Sequence, residues 1–261
     1  MRATVTAAAA SACLVMLTMD ELSDISKIGT RMYETQVRLI APSGYPHDRV
    51  AMTRGVQRLH EAGCAVSGLD VLDRVELRYA GSDAQRAADI NALATMESLP
   101  DIALAVRGGY GATRLLPQLD YGALRERLAG NRTVLVGHSD FTAIQMALHA
   151  QCGLTTFGGP MLGPDFGAEV ASDFTLQHFW STVRAPQSTA AWSTNDQIEL
   201  DVEGPLWGGN LAMLCSLIGT PYCQIGKKKM MVHDDDVGIR RPPMHQRNKA
   251  PVELIAFRSR A

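Results

Sequence analysis

A serine stands at a sharp turn within LVGHSDFTAIQMAL, residues 135–148, between an apolar run and a pattern of helical period. In such a strand-to-helix turn the hydroxyl of Ser139 projects outward, and the next backbone N–H, that of Asp140, can face the oxyanion formed in acyl transfer. This arrangement suits a nucleophile. A simple helix cap is the more common use of Ser and Asp here, and Phe141 replaces the second glycine of the α/β-hydrolase pattern G-x-S-x-G. The stretch alone leaves both interpretations open.

A glycine loop, RGGYG at residues 107–111, follows the apolar run DIALAV directly. Its two successive glycines, Gly108 and Gly109, let the backbone approach a ligand closely and offer unhindered N–H groups to an oxyanion or a carboxylate. Arg107 adds a fixed positive charge. The alternative is a tight turn with a solvated arginine. The phosphate-binding pattern G-x-x-x-x-G-K-[ST] is missing from the sequence, so nucleotide binding is not indicated.

A serine nucleophile also needs a general base. The side chain of His138 should point to the face opposite that of Ser139, because successive side chains alternate along extended backbone. His149 lies ten residues along the following helix, about 15 Å away at 1.5 Å per residue. His47 is on the loop after the first strand, so it should lie at the carboxyl-end edge of the predicted sheet, as Ser139 does. Otherwise the base must come from the chain beyond Gly204.

Short apolar runs alternate with helical patterns from Gln36 onward; the runs are QVRLIA, AVSGLD, DIALAV and TVLVG. This alternation predicts an α/β fold with a parallel, Rossmann-like or flavodoxin-like sheet. Ligands of such sheets bind at the carboxyl ends of the strands. The loops APSGYPHD, RGGYGATR and GHSDF each follow a strand, and we expect the three to meet at one edge.

The bulk composition excludes several classes of partner. A 46% hydrophobic content with a formal net charge of only -2 indicates a globular protein without affinity for nucleic acid. The five cysteines are scattered and form no C-x-x-C pair, so neither a disulfide framework nor a metal site is expected. The apolar stretch near the start is too short to span a membrane. We therefore predict no metal, no cofactor and no membrane contact.

Four segments differ in character. We expect an N-terminal α/β domain with the nucleophile at 36–185 and the start of an incomplete, smaller C-terminal domain at 200–226, where Asn210 is placed to cap an apolar helix. We expect residues 1–35 to be a disordered or non-native extension. Residues 227–261 contain blocks of lysine and aspartate and almost no strand or helix period, which is typical of a solvated or aberrant tail.

Several motifs together resemble one known family. LIAPSGY, AVRGGYGATRLLPQLDY, GHSDFTAIQMAL, FGGPML and LWGGNLAMLCSLIGTPY, in this order between Val37 and Tyr222, are similar to the LD-carboxypeptidases. These muramoyltetrapeptide carboxypeptidases are serine peptidases, and the family also includes microcin C7 self-immunity proteins. The resemblance implies a cytoplasmic, cofactor-free enzyme of murein recycling that removes the terminal D-alanine from a murein tetrapeptide, commonly as a homodimer.

The resemblance also implies roles for matching residues. Ser139 matches the nucleophile of the family motif G-x-S-D. The backbone N–H groups of Asp140 and Gly109 match the donors that hold the oxyanion. We expect three residues of the same loop to bind substrate: Arg107, Gly108 and Tyr110. The choice of Arg107 as the partner of the substrate carboxylate is our own and rests on its charge.

Beyond GTPY the chain departs from the family. There the family continues into a strand I-L-x-L-E-D, which carries the catalytic Glu, and much later into a loop with the catalytic His. This chain continues instead as CQIGKKKMMVHDDDVGIRR, and neither His233 nor His245 lies in a matching motif. A shifted reading frame or a truncation would produce such an abrupt change. We therefore weigh a working LD-carboxypeptidase against an impaired family member that retains at most muropeptide binding, with a homodimer expected if the C-terminal domain folds.

Overall fold

The computed structural model describes residues 2–6, 35–185, 188–193, 206–223, 230–234 and 255–256. The strands are β1 Arg2–Thr6, β2 Thr35–Ile40, β3 Cys64–Ser67, β4 Ile102–Ala105, β5 Val134–Gly137, β6 Phe157–Gly158, β7 Thr189–Ser193, β8 Leu206–Asn210, β9 Met230–Asp234 and β10 Ile255–Ala256. The helices are α1 Arg49–Glu61, α2 Asp83–Thr95, α3 Ala112–Leu115, α4 Tyr121–Leu128, α5 Thr142–Cys152, α6 Asp173–Arg184 and α7 Leu211–Leu217.

The central sheet has the strand order β10-β6-β5-β4-β2-β3. All its neighbours pair in parallel except β10, which adds to β6 in antiparallel orientation. β3 lies on one side of β2, and the later strands β4, β5 and β6 follow one another on the other side. This order is that of flavodoxin-like folds. The predicted α/β fold is therefore confirmed. In such sheets the ligand site lies where the order reverses, at the carboxyl ends of β2 and β4.

Helices cover both faces of this sheet, so two apolar cores form. One core contains Ile90 of α2 and Ile144 of α5, and the other contains Leu59 of α1 and Phe179 of α6. All of β4 is buried, which explains why its sequence is a continuous apolar run rather than an alternating one. The rigid centre of the sheet thus carries the loops that follow β2, β4 and β5.

The described part of the predicted C-terminal domain packs against α5. As predicted, Asn210 caps α7: its side chain accepts the N–H of Met213 at 3.1 Å. The backbone N–H of Asn210 donates to the Thr142 hydroxyl at 3.0 Å, and Leu214 and Leu217 join the core that contains α5. This contact brings β8 beside the first turn of α5.

Two strands that the sequence did not predict, β9 and β10, lie within the tail. β9 pairs in parallel with β8, with Gly209 opposite His233 and Asn210 opposite Asp234. Most of the segments 1–35 and 227–261, with His245, lies outside the described residues, so the expectations for them stay predictions. No helix among the described residues is long and apolar enough to cross a bilayer.

Candidate active site

The turn after β5 holds Ser139 in an unusual backbone conformation. His138 is extended, with φ -142° and ψ -168°, and Ser139 then has φ +60°. Left-handed backbone is uncommon for a residue other than glycine and costs about 1–3 kcal/mol. A single 3-10 turn, Ser139–Phe141, leads directly into α5. The chain therefore reverses sharply at the serine.

The helix-cap interpretation of this turn is wrong. No side chain caps either the 3-10 turn or α5, so Ser139 does not serve the helix that follows it. The Asp140 side chain instead turns into the protein, where it is 4% exposed. One of its carboxylate oxygens accepts the N–H of Ala112, the first residue of α3, at 3.0 Å. The serine turn is thus tied to the loop after β4 rather than to its own helix.

Gly108 lies directly against the serine. A Cβ added to Gly108 would be 2.9 Å from both the Cβ and the Oγ of Ser139, and 3.5 Å from the backbone nitrogen of Asp140. Such contacts leave room only for glycine. The next residue, Gly109, has φ +126°, which also favours glycine. The structure therefore brings the predicted nucleophile beside the predicted glycine loop.

The loop after β2 completes the convergence of the three loops. The N–H of Gly44 donates to the Gly108 carbonyl oxygen at 3.1 Å. A Cβ added to Gly109 would lie 3.2 Å from the Gly44 Cα, so the two loops are in close backbone contact. Since β2 and β4 are the strands at which the sheet order reverses, the candidate site occupies the expected ligand position of this fold.

Arg107 and His47 form a pair at one side of this site. The guanidinium Nη1 of Arg107 donates to the Tyr45 carbonyl oxygen at 3.2 Å and to Nδ1 of His47. Partial burial lowers the pKa of Arg107. His47 thus lies at the predicted sheet edge, but its Nδ1 contacts Arg107 rather than Ser139.

The other predicted residues lie farther out. His138 turns to Asp165, with 3.1 Å between its Nε2 and a carboxylate oxygen, so it faces away from the serine hydroxyl as expected. Tyr110 is 66% exposed, with the guanidinium carbon of Arg78 5.8 Å from its ring centre. Its ring therefore lies at the solvent-exposed edge of the site. His149 lies in the last turn of α5, at the end opposite Ser139.

Arg86 is a residue that sequence reasoning missed. It lies on α2, and its side chain is fully buried, next to the loops that follow β2 and β4. A charged residue in a helical pattern is usually solvated, so nothing singled it out. Its spacing could have done so, because Arg86, Ile90 and Leu93 share the buried face of the helix.

The described part of the chain contains no cluster of side chains that could bind a metal ion. No group of three or more His, Cys, Asp or Glu side chains there could hold an ion. That the protein needs no metal or cofactor stays a prediction. The site as described offers a hydroxyl, a glycine loop and an arginine, which is a set suited to acyl transfer at a substrate with a free carboxylate.

Comparisons with known proteins agree on one family. A model described as the LD-carboxypeptidase N-terminal domain matches residues 37–159. A putative carboxypeptidase of Streptomyces coelicolor is 34% identical over 78% of this chain and 65% of its own length. A putative carboxypeptidase of Treponema pallidum is 30% identical over 83% of this chain and 69% of its own length.

A solved structure is also similar to this chain. Muramoyltetrapeptide carboxypeptidase from Oxalobacter formigenes superposes with a TM-score of 0.68 at 39% identity, over 76% of this chain and 65% of that one. This chain therefore spans just under two thirds of the length of the Streptomyces and Oxalobacter proteins. The residues that match the family model, 37–159, contain β3 to β6, the glycine loop and the serine turn.

Proposed function

Because the chain belongs to the LD-carboxypeptidase family, as its motifs predicted, we propose that it is a serine-type carboxypeptidase that removes the terminal D-alanine from murein tetrapeptides. One observation carries the proposal: Ser139 has left-handed backbone, and Gly108 lies close enough to touch its side chain. Strain of this kind persists where the surrounding structure enforces it, often at catalytic turns. The name of the Oxalobacter relative supports the choice of substrate.

The chemistry proceeds through an acyl-enzyme. The Oγ of Ser139 attacks the carbonyl carbon of the bond before D-alanine, and its proton passes to a general base. The electron pair of the carbonyl moves to oxygen, where the backbone N–H groups of Asp140 and Gly109 stabilise it. The C–N bond breaks, and the amine of D-alanine takes a proton and leaves. Water then hydrolyses the ester, releasing the shortened peptide and restoring the serine.

Arg107 binds the free carboxylate of the terminal D-alanine in this proposal. Its guanidinium is held beside Gly44 by the contacts with Tyr45 and His47, so it is oriented before substrate arrives. Partial burial strengthens a charge–charge contact, because less water screens it. Gly108 and Tyr110 bound the same side of the site, and Tyr110 contributes an exposed aromatic rim.

The general base comes, in this proposal, from the part of the chain after residue 223. β8 reaches the serine turn, since a Cβ at Gly209 would lie 2.5 Å from the Thr142 hydroxyl oxygen. β9 runs beside β8 and places the backbone of His233 opposite Gly209 and that of Asp234 opposite Asn210. A histidine and a carboxylate residue of the tail thus occupy register positions on the strand next to β8.

Release of D-alanine from a murein tetrapeptide by the purified protein tests the proposal. A Ser139→Ala variant is the matched control, and the Oxalobacter enzyme is the positive control. Turnover that disappears with Ser139→Ala supports the proposed function. Absence of turnover in a folded protein contradicts it.

A second candidate is a catalytically impaired family member that still binds muropeptide. The segment after GTPY, CQIGKKKMMVHDDD, does not match the family's Glu strand, and this mismatch favours it. Loss of triad partners leaves a rate lower by about 10⁴-fold or more. Calorimetry with the same tetrapeptide separates the two functions, since binding without turnover is expected only of the impaired member.

A further inference from the structure

The guanidinium of Arg86 joins two loops of the site through one nitrogen atom. Its Nη1 donates to the Pro42 carbonyl oxygen at 2.7 Å and to the Gly111 carbonyl oxygen at 3.2 Å. Pro42 follows β2 and Gly111 follows β4, so this atom bridges the sheet at its switch point. The side chain is 0% exposed, and a buried guanidinium is tolerated only when its N–H groups have partners.

The remaining contacts of Arg86 fix that bridge to the start of α2. Its Nε donates to the Gly81 carbonyl oxygen at 3.2 Å, and its Nη2 pairs with Asp83. Its guanidinium carbon lies 4.6 Å from the ring centre of Tyr79. Asp83 also accepts from Nε of Arg114 on α3 at 2.9 Å. The contacts with Gly81, Asp83 and Tyr79 therefore hold the guanidinium, and with it the bridging Nη1, in place.

The same contacts extend to the serine turn. Ala112, the residue after the bridged Gly111, donates its N–H to Asp140 at 3.0 Å, and Asp140 follows Ser139. Burial raises the pKa of Asp140, while the Ala112 hydrogen bond and the positive charge of Arg86 oppose the rise. Arg86 thus reaches the serine turn through the backbone of Gly111 and Ala112.

We propose that Arg86 is a positioning residue that sets the distance between the glycine loop and the serine turn. The inference rests on the proposed role of Ser139 as a nucleophile. All three carbonyls bound by Arg86 belong to loops and none to a strand of the sheet. Its loss should therefore displace the loops more than it disturbs the core.

The test uses a fluorophosphonate probe and amide hydrogen exchange on the full chain. The probe needs no murein peptide: the serine oxygen bonds to phosphorus and fluoride leaves. Arg86→Lys keeps the charge but loses the forked geometry. Arg127→Lys is the matched control, because Nη2 of Arg127 donates to the carbonyls of Met96 and Glu97 at the other end of α2.

We expect the probe to label Ser139 about 10²-fold more slowly in Arg86→Lys than in the wild type. This is the size of effect expected when one oxyanion donor is misplaced. Arg127→Lys should label at the wild-type rate. Amides in the segments 107–112 and 138–141 should exchange faster in Arg86→Lys alone. If Arg86→Lys fails to fold, Asp83→Asn releases Nη2 and should show both effects to a smaller degree.

Two results would overturn the inference. One is unchanged exchange in both segments of a folded Arg86→Lys protein, whatever the labelling rate. The other is an Arg127→Lys control whose labelling rate falls as much as that of Arg86→Lys, which would indicate a general structural effect. If the wild type does not label at all, the proposed nucleophile fails, and the exchange measurement decides the positioning role independently.

Discussion

The backbone of Gly108 lies against the side chain of Ser139, because a Cβ at Gly108 would be 2.9 Å from both Cβ and Oγ of the serine. We expect Gly108→Ala to push the hydroxyl or the loop aside and to lower the rate of serine labelling and of D-alanine release by about 10²-fold or more. The protein should remain folded, since the contact lies at the site and not in the core.

Gly122→Ala is the control for that substitution. Gly122 lies on α4, and its added Cβ would meet only an oxygen of Asp120 at 3.5 Å. Alanine favours helix over glycine by about 0.5–1 kcal/mol, so this variant should be as stable as the wild type or more so, and equally active. Equal activity of both alanine variants would contradict the close packing at the serine.

Asp140 should leave a signature in the dependence of stability on pH. Burial raises its pKa above the ordinary value of 3.8, so the folded state binds this proton more tightly than the unfolded chain does. The free energy of unfolding therefore falls as pH rises from 3.8 through the raised pKa. Asp140→Asn cannot ionise, and its side-chain oxygen can still accept from Ala112.

Urea titrations of both proteins, from below pH 3.8 to neutral pH, measure this contribution. The wild type should lose stability relative to Asp140→Asn as pH rises across the window. A difference that grows in the opposite direction would mean that the charge of Arg86 outweighs the effect of burial.

Asp165 should be a structural residue near the site. One of its carboxylate oxygens accepts the N–H of Met161 at 2.7 Å and also faces Nε2 of His138. We expect Asp165→Ala to destabilise the fold by about 1–3 kcal/mol, because a largely buried N–H loses its partner. Asp165→Asn retains an acceptor and should cost less in denaturant unfolding. Equal losses in the two variants would argue against the Met161 hydrogen bond.

Turnover, where it is measured, should depend on His233. The register of β8 and β9 places its backbone opposite Gly209, which lies against Thr142 at the start of α5. We expect His233→Ala to reduce D-alanine release toward the level of Ser139→Ala, by a factor on the order of 10⁴. His149→Ala, at the far end of α5, is the comparison. A protein that needs His47 and not His233 would contradict this prediction.

The centre of the sheet was predictable because β4 and most of β5 are buried on both faces and so appear as continuous apolar runs, DIALAV and TVLVG. The meeting of three loops followed from the rule that parallel strands end at one edge. The strand order was not predictable, since no local pattern places β2 between β3 and β4. β9 escaped notice because MMVHD is short and flanked by blocks of charge.

Within the site, sequence could not decide between a nucleophile and a helix cap. The missing side-chain cap, and a contact between Asp140 and Ala112, which are far apart in the chain, argue against the cap; the nucleophile stays our proposal. Arg86 was missed for the same reason. Its helical spacing could have indicated that it points inward, but its partners Pro42 and Gly111 are distant in sequence, so only the folded chain reveals what it binds.

The left-handed turn at Ser139 places stability and activity in competition at a single position. A glycine there would adopt φ +60° freely, so the fold would become more robust with a residue that has no hydroxyl. Engineering this chain for heat resistance alone would select Ser139→Gly among its first gains and would remove the proposed nucleophile in the same step. Thermal tolerance is therefore a misleading guide to improvement here, and any stabilising library should hold this residue fixed.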